Sequence, residues 1–378
     1  MNAETSVCCR ITAAINRAVS ASVNMTAALR DAGIRSFSLV SGRNAVLHER
    51  TGLFGTFMPG KSLESNPVDM LTFFTAPADE DAALAVVTSV FGLDGPGRGS
   101  VYSESVAVNG PEGLFAGNSP AGKPGPRVRM QSGLTGIFCI VQRGEGDVIA
   151  RTVLEAGVCA PTIGFGVGTG VRDKLGILRI TIPAEKELIN VVTGAHDAGG
   201  VLDMLVDAGK LDLPGKGFVY LYEVSKGVID TRVSVGASGH AASMDQVIFA
   251  IDELKGGTQW RHRNAAAIAG GPGRSGRKYL SRLVDMSVMC DEGRADELVK
   301  AAMSAGAAGA TISKYRFVQP QDAPVKASPA RERSNLIVGE NQVSVITAAL
   351  EKAGLFDDQT HGQILTRGVP KACTYLGK

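Results

Sequence analysis

The sequence predicts an α+β protein built from three copies of one small unit. In each copy an amphipathic helical stretch ends at a glycine and leads into a short apolar run, at Gly33, Gly157 and Gly306. A second helical stretch then ends at another glycine, at Gly92, Gly209 and Gly354. Glycine is the expected residue just past a helix because it adopts the left-handed conformation without a Cβ penalty. This recurrence indicates internal repeats, with function expected at the seams between them.

Composition narrows the class of protein. The chain has 378 residues, of which 44% are hydrophobic and 20% are charged, and its net charge of +2 argues against a nucleic-acid or membrane surface. No apolar run approaches the roughly 20 residues that span a bilayer, and the N-terminus lacks a secretory signal pattern. The six cysteines are scattered without a C-x-x-C pair. We therefore expect reduced thiols in a cytoplasmic protein that is not membrane-embedded.

The chain divides into three repeats and two connecting segments. We place the first repeat at 8–108, a Pro- and Gly-rich linker at 109–131 and the second repeat at 132–232. A bridge at 233–281 combines a helical pattern with a basic, glycine-rich segment, and the third repeat covers 282–378.

Each repeat is predicted to read strand-helix-strand-strand-helix-strand. The first has strands near 9–17, 35–41, 69–75 and 100–107, with helices near 20–32 and 79–91. The second has strands near 136–141, 161–166, 176–182 and 217–224, with helices near 146–156 and 185–208. The third has strands near 283–290, 311–317, 334–338 and 372–376, with helices near 293–305 and 340–353. Such a unit forms a four-stranded antiparallel sheet with both helices on one face, so three sheets facing inward would cover one another.

Short glycine-rich motifs recur in this frame. Repeat two carries Gly166–Gly170 after its second strand and Leu213–Val219 before its fourth. Repeat one has Ser41–Asn44 and Pro96–Val101 in the same places, and repeat three keeps only Gly368–Ala372. The motifs and the element order resemble the PII nitrogen-regulatory and PII-like signalling proteins. The resemblance implies three ferredoxin-like (βαββαβ) repeats packed as an intrachain pseudo-trimer, alone or in a higher assembly.

The resemblance also implies where a ligand binds, because nucleotides occupy the clefts between PII subunits beside two loops, the T-loop and the B-loop. The B-loop candidates are Gly97, Arg98, Gly99, Gly215, Lys216, Gly217 and Lys371. The candidates at the T-loop base are Gly42, Arg43, Gly168, Gly170 and Arg172. A glycine-flanked cation lets backbone N–H groups and a charge approach a phosphate together. The alternative for each is a solvated basic turn or a glycine-rich hairpin.

The three seams between the repeats are expected to differ in how strongly they bind an anion. In repeat three the matching turn reads Pro370-Lys371-Ala372, where proline lacks a backbone donor and the alanine Cβ restricts close approach. We expect at most two anion sites per chain, the stronger at Lys216. The five histidines show no metal-ligand spacing, and 271–278 lacks the spacing of a phosphate loop.

These observations favour a regulatory protein that senses a small anionic effector between repeats and controls a partner enzyme or transporter. Candidate effectors are the adenine nucleotides ATP, ADP and AMP. Two alternatives stay open. One is an enzyme acting on a small anionic substrate in an inter-repeat cleft, for which no catalytic constellation is recognisable. The other is a scaffold that docks partners through the loop at 43–68.

Overall fold

The computed structural model describes residues 5–49, 61–111, 118–120, 130–170, 185–232, 234–235, 254 and 277–376. The first third of the chain contains β1 (Thr5–Asn16), α1 (Arg17–Ser22), α2 (Met25–Asp31), β2 (Phe37–Glu49), β3 (Lys61–Thr75), α3 (Glu80–Phe91) and β4 (Gly99–Asn109). The middle contains β5 (Gln131–Gln142), α4 (Gly146–Glu155), β6 (Thr162–Gly170), β7 (Glu185–Gly194), α5 (Ala198–Gly209), β8 (Gly217–Val228) and β9 (Ser234–Val235). The last third contains β10 (Leu283–Asp291), α6 (Ala295–Ser304), β11 (Gly309–Val318), β12 (Ala330–Gly339), α7 (Val343–Lys352), β13 (Gln363–Val369) and β14 (Ala372–Thr374).

The strands pair first with neighbours in sequence. β1 lies between β3 and β4, β5 lies between β7 and β8, and β10 lies between β12 and β13, all antiparallel. The groups then join at their edges, because β4 also pairs with β8 and β13, and β6 also pairs with β2 and β11. Ten strands close into an antiparallel barrel with further strands added, and all 14 strands that the structure describes share one hydrogen-bonded sheet.

The predicted fold class is therefore wrong. The chain does not form three ferredoxin-like repeats packed as an intrachain pseudo-trimer, because its strands belong to one closed barrel. The physical reason is edge pairing: an unpaired strand edge leaves backbone N–H and C=O groups unsatisfied, and pairing between the strand groups satisfies them. Periodicity within one segment shows which face of a strand is buried, but it does not show which edges meet.

Two local predictions also need correction. Residues 43–49 and 61–68 are not loop, because β2 and β3 form one long hairpin paired from Ser38 and Thr72 out to Glu49 and Lys61, while 50–60 lie outside the described residues. The predicted helix at 185–208 is β7 followed by α5. Over a short window, the spacing of the apolar residues in that stretch fits both the 3.6-residue period of a helix and the 2-residue period of a strand. The predicted strand at 176–182, most of the bridge and much of the linker lie outside the described residues.

Alternation along the strands sends side chains to two different environments. Ile137 and Cys139 of β5 pack with α4 and α5 in one core cluster, whereas Phe138 between them faces the barrel interior. Equivalent clusters lie under α3 and under α6 with α7. Aromatic side chains gather on the inner face, where strands from different parts of the chain meet. Every strand group thus places one face toward helices and the other toward a shared interior.

None of the described helices is long and apolar enough to cross a membrane. No disulfide joins the six cysteines, which all lie in the described part of the chain, and five of them are buried. Burial is the main cause that raises the pKa of the Cys9 thiol to about 12, so this thiol stays protonated at neutral pH.

Candidate functional site

The barrel contains a cavity of about 140 Å³. Its walls come from all three parts of the chain, with polar contributions from Arg10, Tyr102, Glu104, Asn190, Tyr222, Arg333, Asn335 and Arg367. A single buried water needs roughly 10–15 Å³ of such space, so the cavity has room for a small organic molecule.

One wall of the cavity is a buried ion-pair network. Glu104 is 1% exposed and accepts a hydrogen bond from Arg10 at 2.6 Å and another from Arg367. Arg367 also pairs with Asp285 at 2.8 Å, and the Tyr220 hydroxyl donates to the same carboxylate at 2.8 Å. The network joins β1 and β4 from the first third of the chain, β8 from the middle, and β10 and β13 from the last third. It holds the three parts of the chain in one arrangement around the cavity.

The protonation state of this network follows from its partners. Burial alone would raise the pKa of Asp285. The positive charge of Arg367 and the Tyr220 hydrogen bond outweigh burial and leave the pKa of Asp285 below its usual value. Desolvation raises the pKa of Tyr220 well above its usual value. At neutral pH Asp285 is therefore ionised, Arg367 keeps its positive charge and Tyr220 is a neutral phenol.

A second wall combines aromatic rings with an amide. The Arg367 guanidinium lies 3.7 Å from the centroid of the Tyr222 ring, a cation–π contact. The Tyr222 hydroxyl donates to Asn190 Oδ1 at 2.5 Å, and Asn190 Nδ2 donates to the Tyr102 hydroxyl at 2.8 Å. These polar groups use their hydrogen-bonding capacity on one another. The cavity is therefore bordered here mainly by ring and aliphatic surface.

Arg333 is the exception among the cavity's charged side chains. It makes no hydrogen bond or ion pair through its guanidinium with any other residue that the structure describes, and its buried Nε has no partner. Its guanidinium carbon lies 5.4 Å from the centroid of the Tyr315 ring. Burial is the main cause that lowers the pKa of Arg333 below its usual value. Within the described residues, the guanidinium groups of Arg10, Arg333 and Arg367 face only the two carboxylates of Glu104 and Asp285, so the site carries one surplus positive charge.

Arg331, two residues earlier on β12, is a buried arginine whose guanidinium is hydrogen-bonded to other residues of the chain. It is 1% exposed. It donates to Asp291 at 2.5 Å, to the Tyr315 hydroxyl at 2.9 Å and to the backbone oxygen of His361 at 2.6 Å. Within the described residues, the lack of partners at Arg333 is therefore a property of that position and not of every arginine on β12.

The turn at Gly97-Arg98-Gly99 already holds a carboxylate, which belongs to the chain itself. The Gly97 N–H donates to Asp230 Oδ1 at 3.2 Å. Gly97 has φ +74° and Gly99 has φ +132°, and a Cβ on Gly99 would lie 2.0 Å from the Ala14 carbonyl oxygen. Arg98 donates through Nε and Nη2 to the Phe91 carbonyl at 3.0 and 2.9 Å, which caps the C-terminal end of α3. Its charge thus points to a helix end.

The other two predicted basic turns also have partners within the chain. Lys216 Nζ lies 2.6 Å from Glu145 Oε1. Gly215 and Gly217 accept hydrogen bonds through their carbonyl groups, from Gln142 and Thr374. Lys371 Nζ lies 3.8 Å from the centroid of the Tyr279 ring.

The predicted T-loop-base residues lie in strands. Arg43 pairs with Asp147 at 2.7 Å and with Glu187 at 3.1 Å, and Gly42 packs against the Ile163 carbonyl oxygen. Gly168 and Gly170 of β6 pair with Thr311 and Gly309 of β11. Arg172 lies outside the described residues.

None of the predicted binding residues that the structure describes lines the cavity, and sequence reasoning did not single out Arg10, Glu104, Arg333 or Arg367. For two of them a signal was present, because the charges of Arg10 and Arg367 interrupt largely apolar stretches. Arg10 follows Val7-Cys8-Cys9, and Arg367 follows Ile364-Leu365-Thr366. Charged residues rarely lie fully buried unless they are paired. No group of metal-ligating side chains occurs among the described residues.

We expect Asp230→Ala to destabilise the protein by about 1–3 kcal/mol, because the backbone N–H groups of the 97–99 turn lose their acceptor. Asp230→Asn should be at least as stable as the parent at pH 7, because its amide oxygen still accepts and the buried charge is gone. Burial raises the pKa of Asp230 in the folded protein, so its favourable contribution is present in acid and is lost as the pH rises through that pKa.

Thermal unfolding at pH 7, with and without sulfate, tests the Asp230 prediction. Sulfate should recover more stability in Asp230→Ala than in Asp230→Asn, because only the alanine variant leaves the turn open to an anion. Both variants keep the barrel cavity, so binding there cancels in the comparison. Equal recovery in the two variants would show that the turn does not bind anions.

Comparisons with known proteins give little further identification. No protein-family model matches the chain, and no curated protein matches its sequence. Among solved structures, PII from Arabidopsis thaliana bound to citrate is 16% identical over 25% of this chain and 78% of its own, with a TM-score of 0.20. The aspartate kinase from Synechocystis is 10% identical over 98% of this chain and 53% of its own, with a TM-score of 0.19. Similarities this low carry no argument about fold or function.

Proposed function

We propose that this chain is a regulatory protein that binds a small organic anion in the cavity of its barrel. The observation that carries the proposal is Arg333, a partly buried cation with a fully buried Nε, which lines the cavity without an acidic partner among the described residues. An unpaired buried charge is costly, and chains normally pair it. A bound anion would supply the missing pair and would stabilise the folded state by mass action.

The position of the site supports regulation. The ion-pair network beside Arg333 joins strands from all three parts of the chain, so a ligand there would change the stability of the whole barrel. A partner enzyme or transporter would respond to that change. The partner, the enzyme alternative, the scaffold alternative and the domain boundaries remain predictions from sequence, as does anion binding at Lys216.

Calorimetric titration of the full chain tests the proposal. ATP, ADP, AMP, bicarbonate and small carboxylates are titrated into the parent, into Arg333→Met and into Arg143→Met. Arg143 is a matched control because it carries the same charge on the surface, where it pairs with Glu185. We expect heat from at least one anion in the parent and in the control, and loss of that heat in Arg333→Met. No heat from any anion, or equal heat in all three proteins, would refute a cavity site at Arg333.

A further inference from the structure

The chemistry of the cavity walls narrows the ligand further. Resting on the proposed function, we infer that the ligand is a monocarboxylate with a compact apolar body, bound with its carboxylate at Arg333 and its body against the opposite wall. Three properties of the cavity carry this inference: the geometry around Arg333, the charge of the site and the position of its apolar residues.

The geometry around Arg333 suits a carboxylate. Its guanidinium presents parallel N–H donors that match the two oxygens of a carboxylate. Ser313, the register partner of Arg333 on β11, also lines the cavity, but its hydroxyl already donates to the backbone carbonyl oxygen of Arg333 at 3.5 Å. Asn335 shares the face of β12 with Arg333, but its amide nitrogen already donates to Ser287 at 2.8 Å. The donors left for a ligand at this wall are therefore those of the Arg333 guanidinium.

The charge of the site sets the charge of the ligand. Three guanidinium groups face two carboxylates, so one negative charge makes the site neutral. A phosphate ester carries about 1.5 to 2 negative charges at pH 7, and a nucleoside triphosphate carries more. Either would leave an excess negative charge in a buried site, next to the carboxylates of Glu104 and Asp285. A monoanion fits the charge balance without that penalty.

The apolar residues stand on a different part of the wall. Leu188 and Val192 of β7 line the cavity together with Phe138 of β5 and Met70 of β3. In the sheet, β6 and β11 lie between β7 and β12, which separates the strand of Leu188 from that of Arg333 by three strand spacings, roughly 14 Å along the barrel wall. Asn190, between Leu188 and Val192, is already hydrogen-bonded to Tyr102 and Tyr222. This side therefore favours a hydrocarbon body over further polar groups.

The test uses benzoate and 4-methylpentanoate as probes, with benzyl alcohol as a neutral analogue and inorganic phosphate as a competing anion. Each is titrated into the full-length parent, Arg333→Met, Arg333→Lys and the surface control Arg143→Met, with thermal unfolding to confirm that each variant folds. We expect both carboxylates to bind the parent and the control, and benzyl alcohol to bind at least tenfold more weakly. Affinity for the carboxylates should fall at least tenfold in Arg333→Met. It should fall less in Arg333→Lys, which keeps the charge and loses the paired donors.

The outcomes separate the two proposals. If phosphate or a nucleotide binds in an Arg333-dependent way and neither carboxylate does, the ligand class is wrong and the proposed function stands. If no anion binds, both are wrong. If the carboxylates bind Arg333→Met or Arg333→Lys as tightly as the parent, their carboxylate does not lie at Arg333 and the inference is overturned. Arg333→Lys also keeps the test decisive if Arg333→Met does not fold.

Discussion

Arg331→Met is expected to destabilise the protein by about 3–5 kcal/mol, whereas Arg333→Met should leave its stability unchanged or raise it by about 1–4 kcal/mol. The two residues lie on the same strand and the substitution is the same, but their surroundings differ. Removing Arg331 takes away the donors to Asp291 Oδ1, to the buried Tyr315 hydroxyl and to the His361 carbonyl oxygen, so Asp291 keeps only its contact with His361 Nδ1. Removing Arg333 leaves no described partner unsatisfied and takes away a desolvated charge.

Urea unfolding at pH 7 without added ligand measures both effects, with the slope of each transition checking that the same surface is exposed on unfolding. A loss of several kcal/mol in Arg333→Met would mean that Arg333 is a structural residue with a partner beyond the described part of the chain. A stabilised variant that no longer binds the anion would instead identify Arg333 as a residue kept for binding at a cost in stability. Binding sites commonly show this trade-off.

The sequence predicted the elements whose signals are local. The helix predicted at 146–156 is observed at Gly146–Glu155, and the one predicted at 79–91 is observed at Glu80–Phe91, which ends at Gly92 with φ +60°. The strand predicted at 283–290 is observed at Leu283–Asp291. These predictions succeeded because helix caps and runs of buried residues act over a few positions. The stretch 185–208 failed because its apolar spacing suits a strand and a helix equally.

Closure of the barrel and the composition of the cavity could not be derived in this way. Both depend on contacts between distant parts of the chain, such as Arg367 with Glu104. In one of the glycine turns, Gly97-Arg98-Gly99, a backbone N–H donates to a carboxylate. That carboxylate comes from Asp230, which lies 133 residues away. Anion binding at the glycine motifs therefore stays a prediction, because a motif does not show which groups the tertiary structure brings to it.

Asp285→Asn is expected to lower the stability at pH 7 by about 3 kcal/mol, because it leaves the guanidinium groups of Arg10 and Arg367 sharing the single carboxylate of Glu104. Asp285 is 2% exposed and pairs with Arg367 at 2.8 Å. Tyr220→Phe is the matched control, since it removes only the hydroxyl that donates to the same carboxylate, and it should cost about 1–2 kcal/mol. Asp285→Asn should also weaken anion binding less than Arg333→Met does, because it leaves Arg333 in place and adds to the positive surplus.

The pH dependence of stability distinguishes this role of Asp285 from simple packing. The pKa of Asp285 is below its usual value in the folded protein, whereas in the unfolded chain it is about 3.9. An acid with a lowered folded pKa contributes stability above its unfolded pKa and loses it as the pH falls through the folded pKa. The difference between the parent and Asp285→Asn should therefore be constant from pH 7 down to about pH 5 and should shrink below about pH 4. Urea unfolding at a series of pH values measures it. A difference that stays constant into acid would mean that the asparagine disturbs packing, and that the charge of Asp285 contributes little to holding the parts of the barrel together.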